Sequence, residues 1–198
     1  MLFRSIQHSL ARLVQFSGRD SRSQFWLYVA SVMGLAMVVW MGVMLRAIAA
    51  TRQFALEHPD KSRIEAGPGH YSVSIQGRAP ELVSPFLEAF DWLKVIAAVM
   101  ILLLASAVVR RLHHSGRSGL WALLPIPFLA VGMVLIPRQV EQGLRGAEGD
   151  PGLFVLLFLN NLVYLLTVGL LIFLLAREGT TGPNRFGPPP MNEASQNS

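Results

Sequence analysis

Arginines and a few hydrogen-bonding side chains are gathered in three short polar stretches, residues 16–26, 110–121 and 179–187. A guanidinium group binds phosphate or carboxylate through paired N–H donors, and a neighbouring amide or imidazole adds further hydrogen bonds. Helix starts predicted near Ser21 and Ser118 would add the positive ends of two helix dipoles. The pattern therefore predicts an anion site, for a lipid headgroup or a soluble anion, with these candidate residues: Arg19, Arg22, Arg110, Arg111, His113, Asn184 and Arg185. The alternative is that these arginines only set the membrane orientation and contact bulk lipid.

A second group of polar side chains lies within an apolar stretch nearer the C-terminus. Asn160, Tyr164 and Thr167 fall at i, i+4 and i+7, on one face of a predicted helix, and Asn161 lies beside them. In hydrocarbon such side chains need partners, and hydrogen bonds between helices there contribute about 1 kcal/mol each. These residues therefore predict either structural hydrogen bonds between helices or the wall of a polar pathway.

The sequence offers little support for metal or covalent chemistry. It contains no cysteine, so it has neither a thiolate nucleophile nor a sulfur ligand for a metal. His113 and His114 are adjacent and would point about 100° apart on a helix, which does not suit a shared metal ion. We therefore expect no metal and no cofactor, and we assign no catalytic residue.

The elements that position these residues are four long apolar blocks. Of the 198 residues, 52% are hydrophobic and 15% charged, against roughly a quarter charged in soluble domains. The four blocks are residues 26–45, 95–109, 119–137 and 153–176. Residues 86–94 can extend the second block, and Pro125 and Pro127 interrupt the third, either as a plain kink or as a break that faces a cavity. The predicted fold is an all-α integral membrane protein with four transmembrane helices.

The distribution of charge predicts the orientation of these helices in the membrane. The two ends of the chain and the short loop after the second block carry nine Lys/Arg and three Asp/Glu. The remaining segments, 46–94 and 138–152, carry eight and nine. An excess of Lys/Arg near membrane ends marks the cytoplasmic side, so both termini are predicted to be cytoplasmic. No dense basic face for a nucleic acid is apparent.

The segments outside the four blocks are an N-terminal stretch, one sizeable loop and a short tail. Apolar residues from Leu2 to Val14 recur at helical spacing, which predicts an amphipathic helix lying either on the membrane surface or on the protein's own loops. Residues 46–90 form an external loop in which Tyr71, Val73 and Ile75 alternate with polar residues like a short strand. We expect residues 1–190 to form a single membrane domain and residues 191–198 to be a disordered tail.

Read together, the three polar stretches resemble the DUF805 family, the YhaH-like small inner-membrane proteins of bacteria. The resemblance rests on Phe16-Ser-Gly-Arg-Asp-Ser-Arg-Ser-Gln-Phe-Trp26, Arg110-Arg-Leu-His-His-Ser-Gly-Arg-Ser-Gly-Leu-Trp121 and Gly179-Thr-Thr-Gly-Pro-Asn-Arg-Phe-Gly187. The family usually has an aspartate where this chain has His114. The resemblance implies a bacterial inner-membrane location and this architecture, but no biochemical activity.

Three classes of function agree with these observations. The first is a non-enzymatic membrane protein that binds an anionic phospholipid or a partner at its cytoplasmic face. The second is a small transporter or channel component with a polar route along the fourth helix. The third is an intramembrane enzyme that acts on a phosphorylated lipid through His113 and the arginines.

Overall fold

Four long helices dominate the computed structural model of the protein, which describes residues 2–146 and 148–188. A short helix α1 (Leu2–Leu10) precedes them. The long helices are α2 (Arg22–Glu57), α3 (Val83–His114), α4 (Ile126–Leu144) and α5 (Pro151–Ala176). Between α2 and α3 the chain forms an antiparallel hairpin of β1 (Ser62–Gly67) and β2 (His70–Ile75), followed by a 3₁₀ turn at Pro80–Leu82.

Each long helix, with its adjoining 3₁₀ turn where present, is long and apolar enough to cross a membrane. The two shortest crossings, Gly119–Leu144 and Pro151–Ala176, have 26 residues each, and about 20 residues suffice for a hydrocarbon layer of about 30 Å. Large apolar side chains such as Val38, Leu102 and Leu166 are exposed along these helices, where a bilayer would surround them. The protein is an integral membrane protein with four transmembrane helices, as the apolar blocks predict.

The helix boundaries follow local sequence signals. Gly116, at φ +73°, lies just after α3, a backbone conformation that favours glycine. Ser118 caps the next segment, because its side chain accepts a hydrogen bond from the Leu120 amide at 3.3 Å. That segment is a 3₁₀ turn over Gly119–Leu123. Helix α4 begins at Ile126, after Pro125, and Pro127 lies in its first turn, where a proline costs no helical hydrogen bond.

Two separate clusters of buried residues hold the helices together. At one end Phe25, Tyr28, Ala107, Leu112 and Leu174 pack where α2 begins and where α3 and α5 end. The other cluster lies at the hairpin end, which we define as residues 46–94 and 138–150. It is smaller and consists of Phe54, Ala79 and Leu82, with three partly buried neighbours. The first cluster lies directly beneath the predicted anion site.

The segments outside the long helices agree with the sequence only in part. Helix α1 ends at Leu10, so the helix predicted to continue to Val14 is too long, and Val14 is exposed. Ser5 and Ser9 are buried and Ile6 packs on the first cluster, so α1 lies on the protein itself. Strand β2 is confirmed, whereas its partner β1 was not anticipated. The predicted disordered tail, residues 191–198, lies outside the described residues.

Candidate functional site

Six polar residues are buried where α2 begins and α3 ends, and we call them the arginine layer: Arg19, Asp20, Ser21, Arg110, Arg111 and His114. Arg110 and Arg111 are 0% and 1% exposed, and Asp20 is 1% exposed. A buried charge is stable only when it is paired or hydrogen-bonded. The partners of these side chains therefore decide what the site can do.

Arg110 holds the segment that joins α1 to α2. Its Nε lies 2.9 Å from Asp20 Oδ2, in a buried ion pair between residues 90 positions apart. Its Nη1 donates to the carbonyl oxygens of Arg12 at 2.9 Å and Gln15 at 2.6 Å. His8 Nε2 lies 3.6 Å from the second carboxylate oxygen of Asp20. The end of α3 is thereby fixed to the N-terminal part of the chain.

Arg111 and Arg22 bind the C-terminal end of α5. Arg111 donates to the carbonyl oxygens of Leu175 at 2.9 Å and Arg177 at 2.5 Å. Arg22 donates to the carbonyl oxygen of Ala176. The last carbonyls of a helix lack partners within the helix and carry its negative dipole end, so a guanidinium satisfies both requirements.

Arg19 holds the chain that follows α5, residues 177–188, which we call the C-terminal strap. It donates to the carbonyl oxygens of Thr180 at 2.5 Å, Gly182 at 2.8 Å and Gly187 at 3.2 Å. Its Nη2 also lies 3.2 Å from His114 Nδ1. Because arginine can only donate, His114 accepts at Nδ1 and its imidazole is neutral in this arrangement.

The strap also binds the end of α3 through its own side chains. Asn184 Nδ2 donates to the carbonyl oxygen of His113 at 3.0 Å. The ring of Phe186 stacks on the His113 imidazole at a centroid distance of 3.8 Å and an interplanar angle of 6°. Arg185 donates to the carbonyl oxygen of Gly116 at 3.2 Å and lies 4.7 Å above the Phe186 ring.

Gly179 passes so close to His114 that an added Cβ would overlap the imidazole.

All seven residues predicted for the anion site thus lie at one end of the helix bundle. Their electrostatic surroundings differ from the prediction in one respect. The buried guanidiniums face Asp20 and backbone carbonyls before α2, at the end of α5 and in the C-terminal strap, rather than helix N-termini. At the start of α2, Ser21 makes no side-chain cap. The sequence did not reveal three roles: Asp20 pairs with Arg110, the Thr180 carbonyl accepts from Arg19, and Gly179 passes close to His114. The available signal was that Asp20 is the only carboxylate in the three polar stretches, which favours its pairing with one of their arginines.

Of the arginines around the layer that stay at least partly exposed, we call these four the surface arginines: Arg22, Arg117, Arg177 and Arg185. No described carboxylate forms an ion pair with any of them. The bond from Arg22 to Ala176 brings it beside Arg177, and the bond from Arg185 to Gly116 brings it beside Arg117. Arg22 and Arg185 thus reach the backbone next to Arg177 and Arg117, and the surface arginines keep N–H donors that no described residue uses.

The polar residues within the membrane are divided between two roles. Asn160 Nδ2 donates to the carbonyl oxygen of Phe128 at 3.0 Å, which joins α5 to α4 as a structural hydrogen bond. Thr167 instead donates to the carbonyl oxygen of Tyr164 in its own helix, at 2.8 Å, so it joins no second helix. Asn160, Asn161 and Tyr164 line a cavity between α3, α4 and α5. In the described parts of the chain, no three His, Asp or Glu side chains are placed to hold a metal ion.

Fold and site together define a class: a four-helix membrane protein whose helix ends are joined by buried arginines at one end of the bundle. A family model described as "Protein of unknown function (DUF805)" matches residues 13–188. The chain therefore belongs to the DUF805 family, which confirms the resemblance seen in the three polar stretches. No curated protein and no solved structure matches the chain.

Proposed function

We propose that the protein lies in the bacterial inner membrane with the arginine layer on the cytoplasmic side, and that its surface arginines bind the phosphates of anionic lipid headgroups. The excess of Lys/Arg at this end supports the orientation. The cytoplasmic leaflet carries anionic lipids, and each nearby Lys or Arg gains about 1 kcal/mol from them.

The observation that carries the proposal is that some arginines use their N–H donors within the protein and others do not. Arg19 and Arg111 donate to carbonyls or to His114, and Arg110 donates to carbonyls and to Asp20 with only its buried Nη2 left without a partner, so all three are held within the protein. Arg117 and Arg177 make no side-chain hydrogen bond among the described residues, and Arg22 and Arg185 bind one carbonyl each. Phosphate oxygens of a ligand could therefore accept hydrogen bonds from guanidinium N–H groups that make no bond within the protein.

The position of the surface arginines suits a lipid headgroup better than a soluble anion. Arg22 begins α2 and Arg177 directly follows α5, so both lie where transmembrane helices leave the hydrocarbon. The Arg177 guanidinium lies 5.7 Å from the ring of Phe173, which is exposed toward the bilayer. Trp121 is exposed at the same end, and tryptophan favours the membrane interface. A lipid placed here would meet an apolar surface along its tails and guanidiniums at its phosphate.

The test is native mass spectrometry with lipidomics on protein gently extracted from its own membrane. The test variants are the pairs R22Q/R177Q and R117Q/R185Q. The matched control is R46Q/R52Q, which removes two exposed arginines at the hairpin end. We expect wild type and control to retain anionic phospholipid and the test pairs to lose it, with retention falling as salt rises. The same lipid mixture on all four proteins would contradict headgroup binding at this face.

Of the two other classes of function, an enzyme and a transporter or channel component, a specific observation favours only the second. For an enzyme using His113, the imidazole would have to leave its stacking contact with Phe186, and Asn184 would have to leave the His113 carbonyl. For a transporter or channel component, Asn160, Asn161 and Tyr164 do line one cavity at membrane depth. The transporter is therefore the second candidate. It would be supported by a solute flux into proteoliposomes that wild type catalyses and N161L does not.

A further inference from the structure

A cavity of about 140 Å³ lies between α3, α4 and α5, away from the arginine layer. Its wall combines two aromatic rings, Phe90 and Phe128, with three polar side chains, Asn160, Asn161 and Tyr164. The other residues of the wall are apolar or glycine, and none of the lining residues carries a charge. The wall is therefore apolar and uncharged, with hydrogen-bonding groups at one side.

The polar part of the wall lies near the middle of the membrane. Helix α5 has 26 residues, and Asn160 to Tyr164 lie close to its midpoint. At about 1.5 Å per residue they lie about 14–20 Å from the start of α5 and about 18–24 Å from its end, which is well inside a hydrocarbon layer of about 30 Å. Water is scarce at this depth, so a polar group without a protein partner costs several kcal/mol.

Most of the hydrogen-bonding capacity in this wall is unused by the protein. Asn160 Nδ2 binds the Phe128 carbonyl, but the Asn160 carbonyl has no partner among the described residues. The same holds for the side-chain amide of Asn161 and the hydroxyl of Tyr164. Asn160 and Tyr164 are partly buried beside the cavity and Asn161 is exposed, so their polar groups form only a small part of the wall. There they offer two kinds of donor, an amide N–H and a phenolic O–H.

We propose that this cavity binds the ring head group of a membrane-dissolved quinone. Its volume suits a single six-membered ring, since an apolar cavity of about 150 Å³ binds benzene. Phe90 and Phe128 can pack against such a ring, and the amide and hydroxyl can donate to its carbonyl oxygens. A charged head group would meet no counter-charge there, and a plain hydrocarbon chain would leave the donors unpaired.

The test is photolabelling of the protein in lipid nanodiscs with a short-chain azidobenzoquinone, in the presence and absence of unlabelled quinone. We expect labelled peptides from residues 128–136 and 157–164, with labelling suppressed by the competitor. The blocking variant is Gly132→Leu. Gly132 lines the cavity, and an added Cβ there would have its nearest neighbours, Ile136 and Asn160, at 3.7 and 3.8 Å. A leucine therefore has room at Cβ, and the rest of its side chain would occupy part of the cavity. The matched control is Gly169→Leu, where an added Cβ has no neighbour within 4 Å.

We expect Gly132→Leu to abolish the competed labelling and Gly169→Leu to retain it. Asn161→Leu removes a donor without filling the cavity, and a lost hydrogen bond of about 1.4 kcal/mol corresponds to about tenfold weaker competition. If Gly132→Leu does not elute as a single folded species, Asn161→Leu alone tests whether the quinone binds in the cavity. Labelling that the competitor leaves unchanged, or competition that Asn161→Leu leaves unchanged, would overturn the proposal.

Discussion

The two ends of the helix bundle use charged residues in opposite ways. At the hairpin end the ion pairs Arg63–Glu65, Asp91–Lys94 and Glu141–Arg145 join residues at most four positions apart, and all are largely exposed. At the arginine layer the pair Arg110–Asp20 joins residues 90 positions apart, and both side chains are buried. The hairpin end is held instead by apolar packing of Phe54, Ala79 and Leu82.

This difference teaches that desolvation, rather than the number of ion pairs, decides what a charge contributes to the fold. Exposed ion pairs contribute about 0–1 kcal/mol because water and salt screen them. A buried guanidinium needs acceptors, and here they are carbonyls at the end of α5, in the C-terminal strap and in the chain before α2. The arginine layer thus joins three segments that are distant in sequence, whereas each ion pair at the hairpin end stabilises only its own element.

The largest expected effect comes from breaking the buried pair. Arg110→Met leaves Asp20 buried without its guanidinium, and we expect a loss of about 3–5 kcal/mol in the free energy of unfolding. The measurement is equilibrium unfolding in mixed detergent micelles. The matched control is Arg145→Met at the hairpin end, where we expect a loss of less than about 1 kcal/mol. Equal losses in the two variants would show that the two ends do not differ.

A second prediction concerns the close approach of the C-terminal strap to α3. Gly179→Ala would drive a methyl group into the His114 imidazole, and overpacking of this kind costs about 1–3 kcal/mol. Gly182→Ala is the control, because an added Cβ there has no neighbour within 4 Å. We expect limited proteolysis to cut the strap faster in the first variant only. Equal cleavage of both would mean that the strap is not seated against His114.

A smaller effect is expected from the side chain that fastens the strap. Asn184→Leu removes the hydrogen bonds to the His113 carbonyl and to Thr180 Oγ1, each worth about 1 kcal/mol. Hydrogen exchange should accelerate at the amides of Thr180 and Gly187, which bond to His114 and Asn184 backbone oxygens. Thr181→Ala, at an exposed position, should leave both rates unchanged. Unchanged exchange in Asn184→Leu would refute this role.

The smallest effect should come from the hairpin end. Lys94→Gln removes the ion pair with Asp91, at 2.8 Å between exposed side chains. We expect the free energy of unfolding to change by less than about 1 kcal/mol and the change to vanish at high salt. A loss as large as that of Arg110→Met would contradict the comparison.

The sequence predicted the parts of this structure that depend on long apolar runs and local signals. The four transmembrane helices, strand β2 and the Ser118 cap all follow from residues close together in the chain. The arginine layer did not follow in the same way. Which carbonyl Arg111 or Arg19 binds depends on how α3, α5 and the strap meet, and sequence spacing does not contain that information.

The sequence also misjudged two details for physical reasons. The apolar spacing that continues to Val14 predicted a longer α1, but the carbonyls of Arg12 and Gln15 turn toward Arg110 instead of continuing the helix. Thr167 shares a predicted face with Asn160, yet its hydroxyl donates to the Tyr164 carbonyl in its own helix. A polar side chain in a membrane helix can satisfy itself locally, and periodicity does not distinguish that from a bond between helices.

The most direct test of the central claim, that buried charge joins distant segments at the arginine layer, is a double-mutant cycle on Asp20 and Arg110. The single variants Asp20→Leu and Arg110→Met and the double variant are compared with wild type by unfolding in mixed detergent micelles. We expect a coupling free energy of about 2–3 kcal/mol, with the double variant more stable than the sum of the single losses predicts. Losses that add within about 0.5 kcal/mol would contradict the claim, because the two side chains would then act independently.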